Sequence, residues 1–241
     1  MIPKIAILVP TRYRPKELKR FLDSYKEMNA GYSELFFCFQ ENDPMIEELK
    51  EITKDYEHII TGNIGCVAKV NALADKFKGY RAYLFGADDI VYKTKGFDKL
   101  FLEILDQFKQ KKGHEIAILY GDDTIHGEKL ATHPLLSAEL IEAQGSFYPK
   151  DRMRHLFSDN WCMYLGLSCD ILVYVPAIVM DHLHFIKTKA QKDKSYLESN
   201  APAMYERDGE KYREYLKEDG EKMVENIKET IKLRSIKEAK E

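Results

Sequence analysis

The chain has few cysteines and no long apolar run. Its 4 cysteines show no Cys-x-x-Cys spacing, and three of them lie in apolar surroundings, which favours reduced, packed thiols. The longest apolar stretch, residues 171–180, contains Pro176 and is well short of the roughly 20 residues that a membrane-spanning helix needs. The apolar run near the start, residues 5–9, is too short for a signal peptide. These absences predict a soluble, cytoplasmic protein without a transmembrane segment.

The sequence also lacks an excess of charge of one sign. It has 37 basic and 40 acidic residues, which give a formal net charge of −3. This balance provides no general attraction to nucleic acid, although a local basic groove remains open. There is no internal repeat or low-complexity segment, and 44% of the residues are hydrophobic, enough for a core. The length of 241 residues fits one large α/β domain, or one domain with a helical tail.

Short apolar runs alternate with helical patterns along most of the chain. Residues 5–9 form a continuous aliphatic run, which is typical of a central parallel strand. The predicted strands are 5–9, 35–39, 58–60, 83–85, 116–120, 172–175 and 177–180, and the predicted helices cover about 18–25, 45–56, 67–77 and 97–108. This order predicts an α/β fold with a mostly parallel, doubly wound central sheet flanked by helices.

The composition becomes highly charged after Ile186. One helical face of this tail carries a set of apolar residues, interrupted by Gly220: Tyr212, Leu216, Met223, Ile227 and Ile231. The pattern predicts an amphipathic C-terminal helical extension over residues 196–241. Such a face can dock on the preceding domain, form a homodimer or touch a membrane surface, and the balanced charge of the tail disfavours strong attraction to anionic lipid.

Two acids follow directly after one of the predicted strands. In the run Tyr-Leu-Phe-Gly-Ala-Asp-Asp-Ile, residues 83–90, the apolar strand leads into Asp88 and Asp89. Two close carboxylates at a buried strand end are costly, and a divalent cation removes that cost. Oxygen ligands suit Mg²⁺ or Mn²⁺. The alternative is a turn in which an Asp caps the next segment.

Two histidines follow a later strand. If that strand continues, His182 and His184 point to the same face, where an imidazole could complete a metal site with the carboxylates. The alternative is a hydrogen-bonded or surface histidine pair that binds no metal.

Six segments resemble, in the correct order, the motifs of a known family. They are Ile7-Leu8-Val9-Pro10-Thr11-Arg12-Tyr13-Arg14-Pro15, the region from Gly62-Asn63-Ile64-Gly65 to Asn71-Ala72, Gly86-Ala87-Asp88-Asp89, Gly96-Phe97-Asp98, Ser158-Asp159-Asn160-Trp161 and Asp181-His182-Leu183-His184. Over about residues 4–195, the chain resembles family 2-type nucleotide-sugar glycosyltransferases with the GT-A fold. The strict D-x-D motif of that family would need an acid at Ala87, so only Asp89 matches its last position.

The resemblance implies a role for each matching residue. It implies a metal site for Mn²⁺ or Mg²⁺ at Asp89, His182 and His184, and a general base at Asp159. The implied donor-binding residues are Pro10, Thr11, Arg12, Glu41, Asp43, Asn63, Gly65, Asn71, Ala87 and Asp88. The expected acceptor-side residues are Asp122, His133, Tyr148 and Trp161. The donor-binding half would cover about 1–112 and the acceptor half about 113–195, within a domain of residues 1–195.

Several of these residues have an alternative role. Asp43 fits an Asx-Pro turn equally well. Trp161 fits core packing at least as well as stacking on a sugar. Arg14 fits an ion pair with nearby carboxylates better than a phosphate contact. Lys69 fits a solvated helix position as well as a phosphate contact.

The function expected from the resemblance is metal-dependent transfer of a hexose from a nucleotide-diphosphate sugar, such as a UDP-sugar, to a hydroxyl group. The transfer would be inverting, with Asp159 as the base. The acceptor remains open among a glycan, a lipid-linked sugar, a protein and a modified nucleic acid. Two other functions compete: a sugar-1-phosphate nucleotidyltransferase, although residues 10–15 contain no glycine for a phosphate loop, and a non-catalytic nucleotide-sugar-binding module.

Overall fold

The structure, a computed structural model, describes residues 4–184 and 193–238. The strands are β1 (Ile5–Pro10), β2 (Ser33–Gln40), β3 (Glu57–Thr61), β4 (Ala82–Phe85), β5 (Ile90–Tyr92), β6 (Ile118–Asp122), β7 (Pro134–Ser137) and β8 (Leu172–His182). The helices are α1 (Pro15–Met28), α2 (Ile46–Ile52), α3 (Cys66–Lys76), α4 (Phe97–Lys112), α5 (Ala138–Gln144), α6 (Ser158–Ser168), α7 (Lys194–Ser199), α8 (Pro202–Tyr215) and α9 (Glu221–Glu238).

The strands form one eight-stranded sheet in the order β3-β2-β1-β4-β7-β6-β8-β5. Strands β1 to β4 pair with one another in parallel, as the alternating sequence pattern predicts. Strand β7 is antiparallel to both β4 and β6, and β5 is antiparallel to β8. The second half of the sheet is therefore mixed. The segment between β6 and β7 contains only a single turn of 3₁₀ helix, Gly127–Lys129, and no crossover helix that would return the chain for a parallel pairing.

Strand β8 is continuous, whereas the sequence predicts two short strands separated by Pro176. Its register against β6 shifts between Gly121, which pairs with Val175, and Asp122, which pairs with Val179. The residues between those two pairs bulge out of the ladder, so the exposed Pro176 needs no hydrogen bond there. The strand consequently continues to His182, and its last residues reach the same edge of the sheet as the end of β4.

The C-terminal tail packs against the sheet domain. Helices α8 and α9 are joined by a turn of π-helix, Leu216–Gly220, and the apolar face of the tail is turned inward. Tyr215 packs on the ring of Trp161 at 4.9 Å, and Ile227 is fully buried. Of the three uses expected for this face, docking on the chain's own domain is the one that the structure contains. Within the described ranges, no helix is long and apolar enough to cross a membrane.

Candidate active site

A cleft of about 900 Å³ lies at the carboxyl ends of β1 and β4 and is bordered by the start of α6 and by α7. Open α/β sheets bind ligands at this edge because parallel strands end there together. Twelve of the residues selected from the sequence line the cleft: Pro10, Thr11, Arg12, Asn63, Gly65, Ala87, Asp88, Asp89, His133, Asp159, His182 and His184.

The two carboxylates at the end of β4 share one guanidinium group. Nη1 of Arg14 lies 3.0 Å from Oδ1 of Asp88 and 2.9 Å from Oδ2 of Asp89. The hydroxyl of Thr11 donates to Oδ2 of Asp88 at 2.6 Å. Burial raises the pKa of Asp88 to about 6, in spite of the neighbouring Arg14. The ion pair with Arg14 expected from the sequence is present, but it lies in the cleft and not on the outer surface.

His182 is placed beside Asp89 by the pairing of β5 with β8. Ile90 is directly opposite His182 in that ladder, and the amide of Leu183 donates to the carbonyl of Asp89 at 2.8 Å. Nε2 of His182 consequently lies 3.6 Å from Oδ1 of Asp89. Burial opposes ionisation of both groups, yet their mutual attraction outweighs it: the pKa of Asp89 is well below its usual value and the pKa of His182 is raised.

Two further histidines surround His182. The centre of the His133 ring lies 5.0 Å from that of His182. His133 is almost fully buried, and among the described residues neither of its nitrogens has a hydrogen-bond partner. Burial lowers the pKa of His133 to about 3, so it is neutral at pH 7. The ring of His184 lies 5.2 Å from His182 and 5.0 Å from Tyr196 of α7. Of the two histidines expected to bind metal, His182 is the one in contact with Asp89.

The donor set fits a hard divalent cation that also binds a ligand's oxygens. In the described part of the chain, no three His, Cys, Asp or Glu side chains are arranged to hold a metal by themselves. Mg²⁺ and similar ions are commonly held by one or two carboxylates together with substrate phosphates, so a complete protein cage is not required. Asp89 and His182 supply one oxygen and one nitrogen, and Nδ1 of His182 is buried with no hydrogen-bond partner in residues 4–184 and 193–238.

Asp159 also lines the cleft, from the first turn of α6. The residue before that helix turn, Phe157, has a φ of 68°, a left-handed conformation that redirects the chain into α6. Oδ1 of Asp159 accepts a hydrogen bond from the amide of Asn160 at 2.8 Å. Burial raises the pKa of Asp159, a direction that suits a carboxylate that has to accept a proton.

Three residues predicted to bind the donor do not reach the cleft. The side chain of Glu41 is exposed to solvent away from it. The carboxylate of Asp43 is buried and accepts hydrogen bonds from the amides of Tyr13 and Met45, so it shapes its own turn. The side-chain amide of Asn71 donates a hydrogen bond to the backbone carbonyl of Tyr148 and accepts one from its backbone N–H. These three side chains are therefore not placed to bind the donor. Asp43 and Asn71 stabilise the fold, and Glu41 lies on the surface.

Three of the four expected acceptor residues are also outside the cleft. Tyr148 and Trp161 each have only 1% of their surface exposed, and both are part of the core. Asp122 accepts a hydrogen bond from the amide of Thr124 and caps a loop. An acceptor sugar cannot stack on a buried ring, so these assignments are corrected as well; the core-packing alternative for Trp161 is the right one.

The cleft also contains residues that the sequence did not indicate as site residues: Gln40, His126, Arg154, His155, Tyr196, Glu198 and Arg207. Lys69 also lines the cleft. It is 5% exposed, which contradicts the solvated helix position that the sequence leaves open, and burial lowers its pKa. His126 is held by the buried carboxylate of Asp123, whose Oδ2 lies 2.8 Å from its Nδ1. Tyr196, Glu198 and Arg207 lie in α7 and α8, which belong to the tail that the sequence predicts to lie outside the domain. The only sequence signal for their contact with a polar cleft is the alternation of charged and aromatic residues in that segment.

No protein-family profile matches the chain, and no curated protein matches its sequence. Solved structures resemble it. The mannosyltransferase PcManGT from Pyrobaculum calidifontis, in complex with GDP-Man and Mn²⁺, has 12% identity and a TM-score of 0.53 over 95% of this chain and 74% of that one. Glucosyl-3-phosphoglycerate synthase from Mycobacterium tuberculosis, in complex with Mn²⁺, UDP and phosphoglyceric acid, has 12% identity and a TM-score of 0.56 over 87% and 77%.

A third similar structure is TarS 1–349 from S. aureus in complex with UDP, with 11% identity and a TM-score of 0.54 over 73% of this chain. The chain spans 59% of the length of that TarS fragment. Likeness at this level of identity shows the fold, and the fold is the GT-A fold of nucleotide-sugar glycosyltransferases. The fold class implied by the sequence motifs is confirmed.

Proposed function

We propose that this protein is a metal-dependent glycosyltransferase that moves a sugar from a nucleotide-diphosphate donor to a hydroxyl group. One observation supports the proposal above the others: Asp89 and His182 face each other at 3.6 Å in a cleft of a GT-A fold, on the edge where the strands end. Similar folds hold Mn²⁺ with GDP-Man or with UDP. A nucleotidyltransferase and a non-catalytic binding module are the competing functions.

Asp89 and His182 would hold the divalent cation, with His184 beside them. Bound there, the cation would neutralise the charge that develops on a diphosphate leaving group. Arg12 and Arg14 add positive charge on the same side of the cleft, where their planar groups can donate to phosphate oxygens. Asp159, in the same cleft, would accept the proton of the attacking hydroxyl in an inverting transfer.

Nucleotide binding and its dependence on metal provide the direct test. With UDP or GDP at about 100 times its dissociation constant and Mn²⁺ present, binding should stabilise the wild-type chain by about 2.7 kcal/mol. That corresponds to a rise of about 5–10 °C in melting temperature for a domain of this size. Asp89→Asn should lose the Mn²⁺-dependent part of the rise because an amide is a poor ligand for a hard cation.

Asp122→Asn is the matched control. Asp122 is also an acid at a strand end, but it lies outside the cleft and caps Thr124, a bond that Asn preserves. It should behave like the wild type. If neither UDP nor GDP raises the melting temperature in the presence of Mn²⁺ or Mg²⁺, the proposed function is wrong.

A further inference from the structure

Two carboxylates from the start of the tail occupy the arginines of the cleft. Nη2 of Arg12 lies 2.6 Å from Oε2 of Glu198. Nε and Nη2 of Arg14 donate to Oδ2 and Oδ1 of Asp193 at 2.7 and 3.1 Å, a two-pronged contact. A guanidinium group presents to a phosphate the same pair of donors that it presents to a carboxylate. Asp193 and Glu198 therefore use the donor groups that a phosphorylated ligand would need.

The segment that carries these acids is held over the cleft by further contacts. Oδ1 of Asp193 caps the first turn of α7 by accepting from the amide of Tyr196 at 2.7 Å. Nζ of Lys194 lies 4.7 Å from the centre of the Tyr13 ring, and the ring of Tyr196 packs on His184 at 5.0 Å. Asp193 and Glu198 thus approach the cleft on one short element, and they engage both arginines at once.

Burial differs between the two sides of these ion pairs. The side chains of Arg12 and Arg14 are 14% and 15% exposed, whereas those of Glu198 and Asp193 are 44% and 43% exposed. Arg14 also forms ion pairs with Asp88 and Asp89. The arginines are fixed parts of the cleft wall, and the carboxylates are the partners that can leave at low cost because water solvates them readily.

We propose that Arg12 and Arg14 bind the diphosphate of the donor, and that Asp193 and Glu198 compete with it as built-in carboxylate substitutes. This inference rests on the proposed function and adds to it a means of regulating donor binding. In the donor-free protein, the two acids neutralise the arginines, and an incoming diphosphate has to displace them. The competition weakens donor binding and ties it to movement of α7 away from the arginines.

Isothermal titration calorimetry of the full chain with UDP and with GDP, each with Mn²⁺, tests the competition. The double variant Asp193→Asn/Glu198→Gln should bind the nucleotide about fivefold more tightly than the wild type. Ion pairs with an exposed partner contribute little free energy, so their loss should change the affinity by less than a factor of about ten. The control Glu206→Gln/Glu210→Gln removes the same charge from exposed positions of α8 that do not line the cleft. It should leave the affinity within about twofold of the wild type.

A double-mutant cycle separates competition for Arg12 from a general change in charge. If Glu198 acts by masking Arg12, Glu198→Gln should tighten binding in the wild-type background and have no effect in the Arg12→Gln background. An equal effect in both backgrounds would overturn the inference, as would a wild type that binds the nucleotide and a double variant that binds it no more tightly. If neither the wild type nor the double variant binds UDP or GDP, the proposed function fails and the inference fails with it.

Discussion

Arg14 resolves an electrostatic problem that is visible in the sequence. Two adjacent carboxylates at the end of a buried strand need compensation, and a divalent cation is one solution. Arg14, from the loop after β1, provides another, since its Nη1 lies within 3.0 Å of both Asp88 and Asp89. The arginine and a cation can act together, because His182 contacts Asp89 through the other oxygen, Oδ1.

The role proposed for Asp159 gives a prediction for activity. Asp159→Asn should lower the rate of donor turnover by about 10²–10⁴, the usual contribution of a general base, while UDP or GDP binding with Mn²⁺ remains unchanged. The rate of nucleoside diphosphate release and the calorimetric affinity would be measured on the same preparation. A variant that keeps its turnover excludes Asp159 as the base. A wild type that binds nucleotide but turns over none of the UDP- and GDP-sugars tested favours the binding module.

Asp159 also gives a prediction for stability: Asp159→Asn, which should lose activity, should gain stability. Burial raises its pKa in the folded protein, so between its ordinary value, about 3.9, and the raised value the folded state binds more protons than the unfolded state. The stability contributed by this group is therefore lost as the pH rises through that window. Asn does not ionise and retains the bond from the amide of Asn160.

The measurement is the free energy of unfolding of wild type and Asp159→Asn at a series of pH values. Relative to the wild type, Asp159→Asn should gain stability from about pH 4 upward and should not be less stable at pH 7. A variant that loses stability on the same rise in pH contradicts the assigned direction of the pKa shift. Together with the activity test, this separates a functional role of Asp159 from a role in folding.

Among the elements, the pairing of β5 with β8 brings together two motifs that lie far apart in the sequence. The sequence predicts both the acids after β4 and the histidines after β8, and it predicts that they meet, because strand ends share an edge of the sheet. It does not predict the antiparallel ladder that places His182 next to Asp89 rather than His184, because antiparallel partners depend on tertiary packing. The same limit explains why β7 could not be oriented from its sequence.

Side-chain direction decides which polar residues reach the cleft, and sequence patterns report that direction poorly for single residues. Glu41, Asp43 and Gln40 are neighbours at the end of β2, yet only Gln40 lines the cleft. The fourfold alternation of strand and helix, in contrast, is repeated over many residues, and it is the part of the fold that the sequence predicts well. Site residues that depend on one side-chain direction are the part that requires the structure.

The bulge in β8 leads to a prediction for a glycine. A Cβ atom at Gly121 would lie 2.3 Å from the carbonyl oxygen of Ile178, which is backbone and cannot rotate away. Gly121→Ala should therefore force β6 and β8 apart and lower the free energy of unfolding by about 1–3 kcal/mol. Gly62→Ala is the control, because a Cβ there meets no atom within 4 Å. Chemical denaturation of both variants is the measurement, and equal stability of the two would show that the bulge tolerates a side chain.

At the scale of the whole molecule, the tail is part of the folded unit. Asp208 in α8 is fully buried, and its carboxylate accepts hydrogen bonds from the backbone N–H groups of Arg154, His155 and Leu156. These three residues line the cleft. The same helices bury the apolar face that the sequence identifies in the tail. The face therefore contributes to the core of its own domain, whereas a homodimer through the C-terminal helix stays a prediction.

Packing of the tail against the domain predicts a loss of global stability when α9 is altered. Ile227 is fully buried, whereas Leu233 on the same helix is 62% exposed. Ile227→Ala should lower the stability of the whole chain by about 2–5 kcal/mol, or about 5–15 °C in melting temperature. Leu233→Ala should change it by less than about 0.5 kcal/mol. Both would be measured by thermal unfolding followed in the near-UV, where buried aromatic rings report tertiary packing.

The shape of the unfolding transition distinguishes one cooperative unit from a domain with an attached tail. If the tail and the sheet domain unfold together, Ile227→Ala shifts a single transition without broadening it. The Trp161 ring, which packs on Tyr215, then loses its folded signal at the same temperature as the helical signal. An early partial transition in Ile227→Ala, with the Trp161 signal retained above it, would instead mean that the tail unfolds independently. The boundary near residue 195 would then separate two units of stability, although the cleft would still draw residues from both.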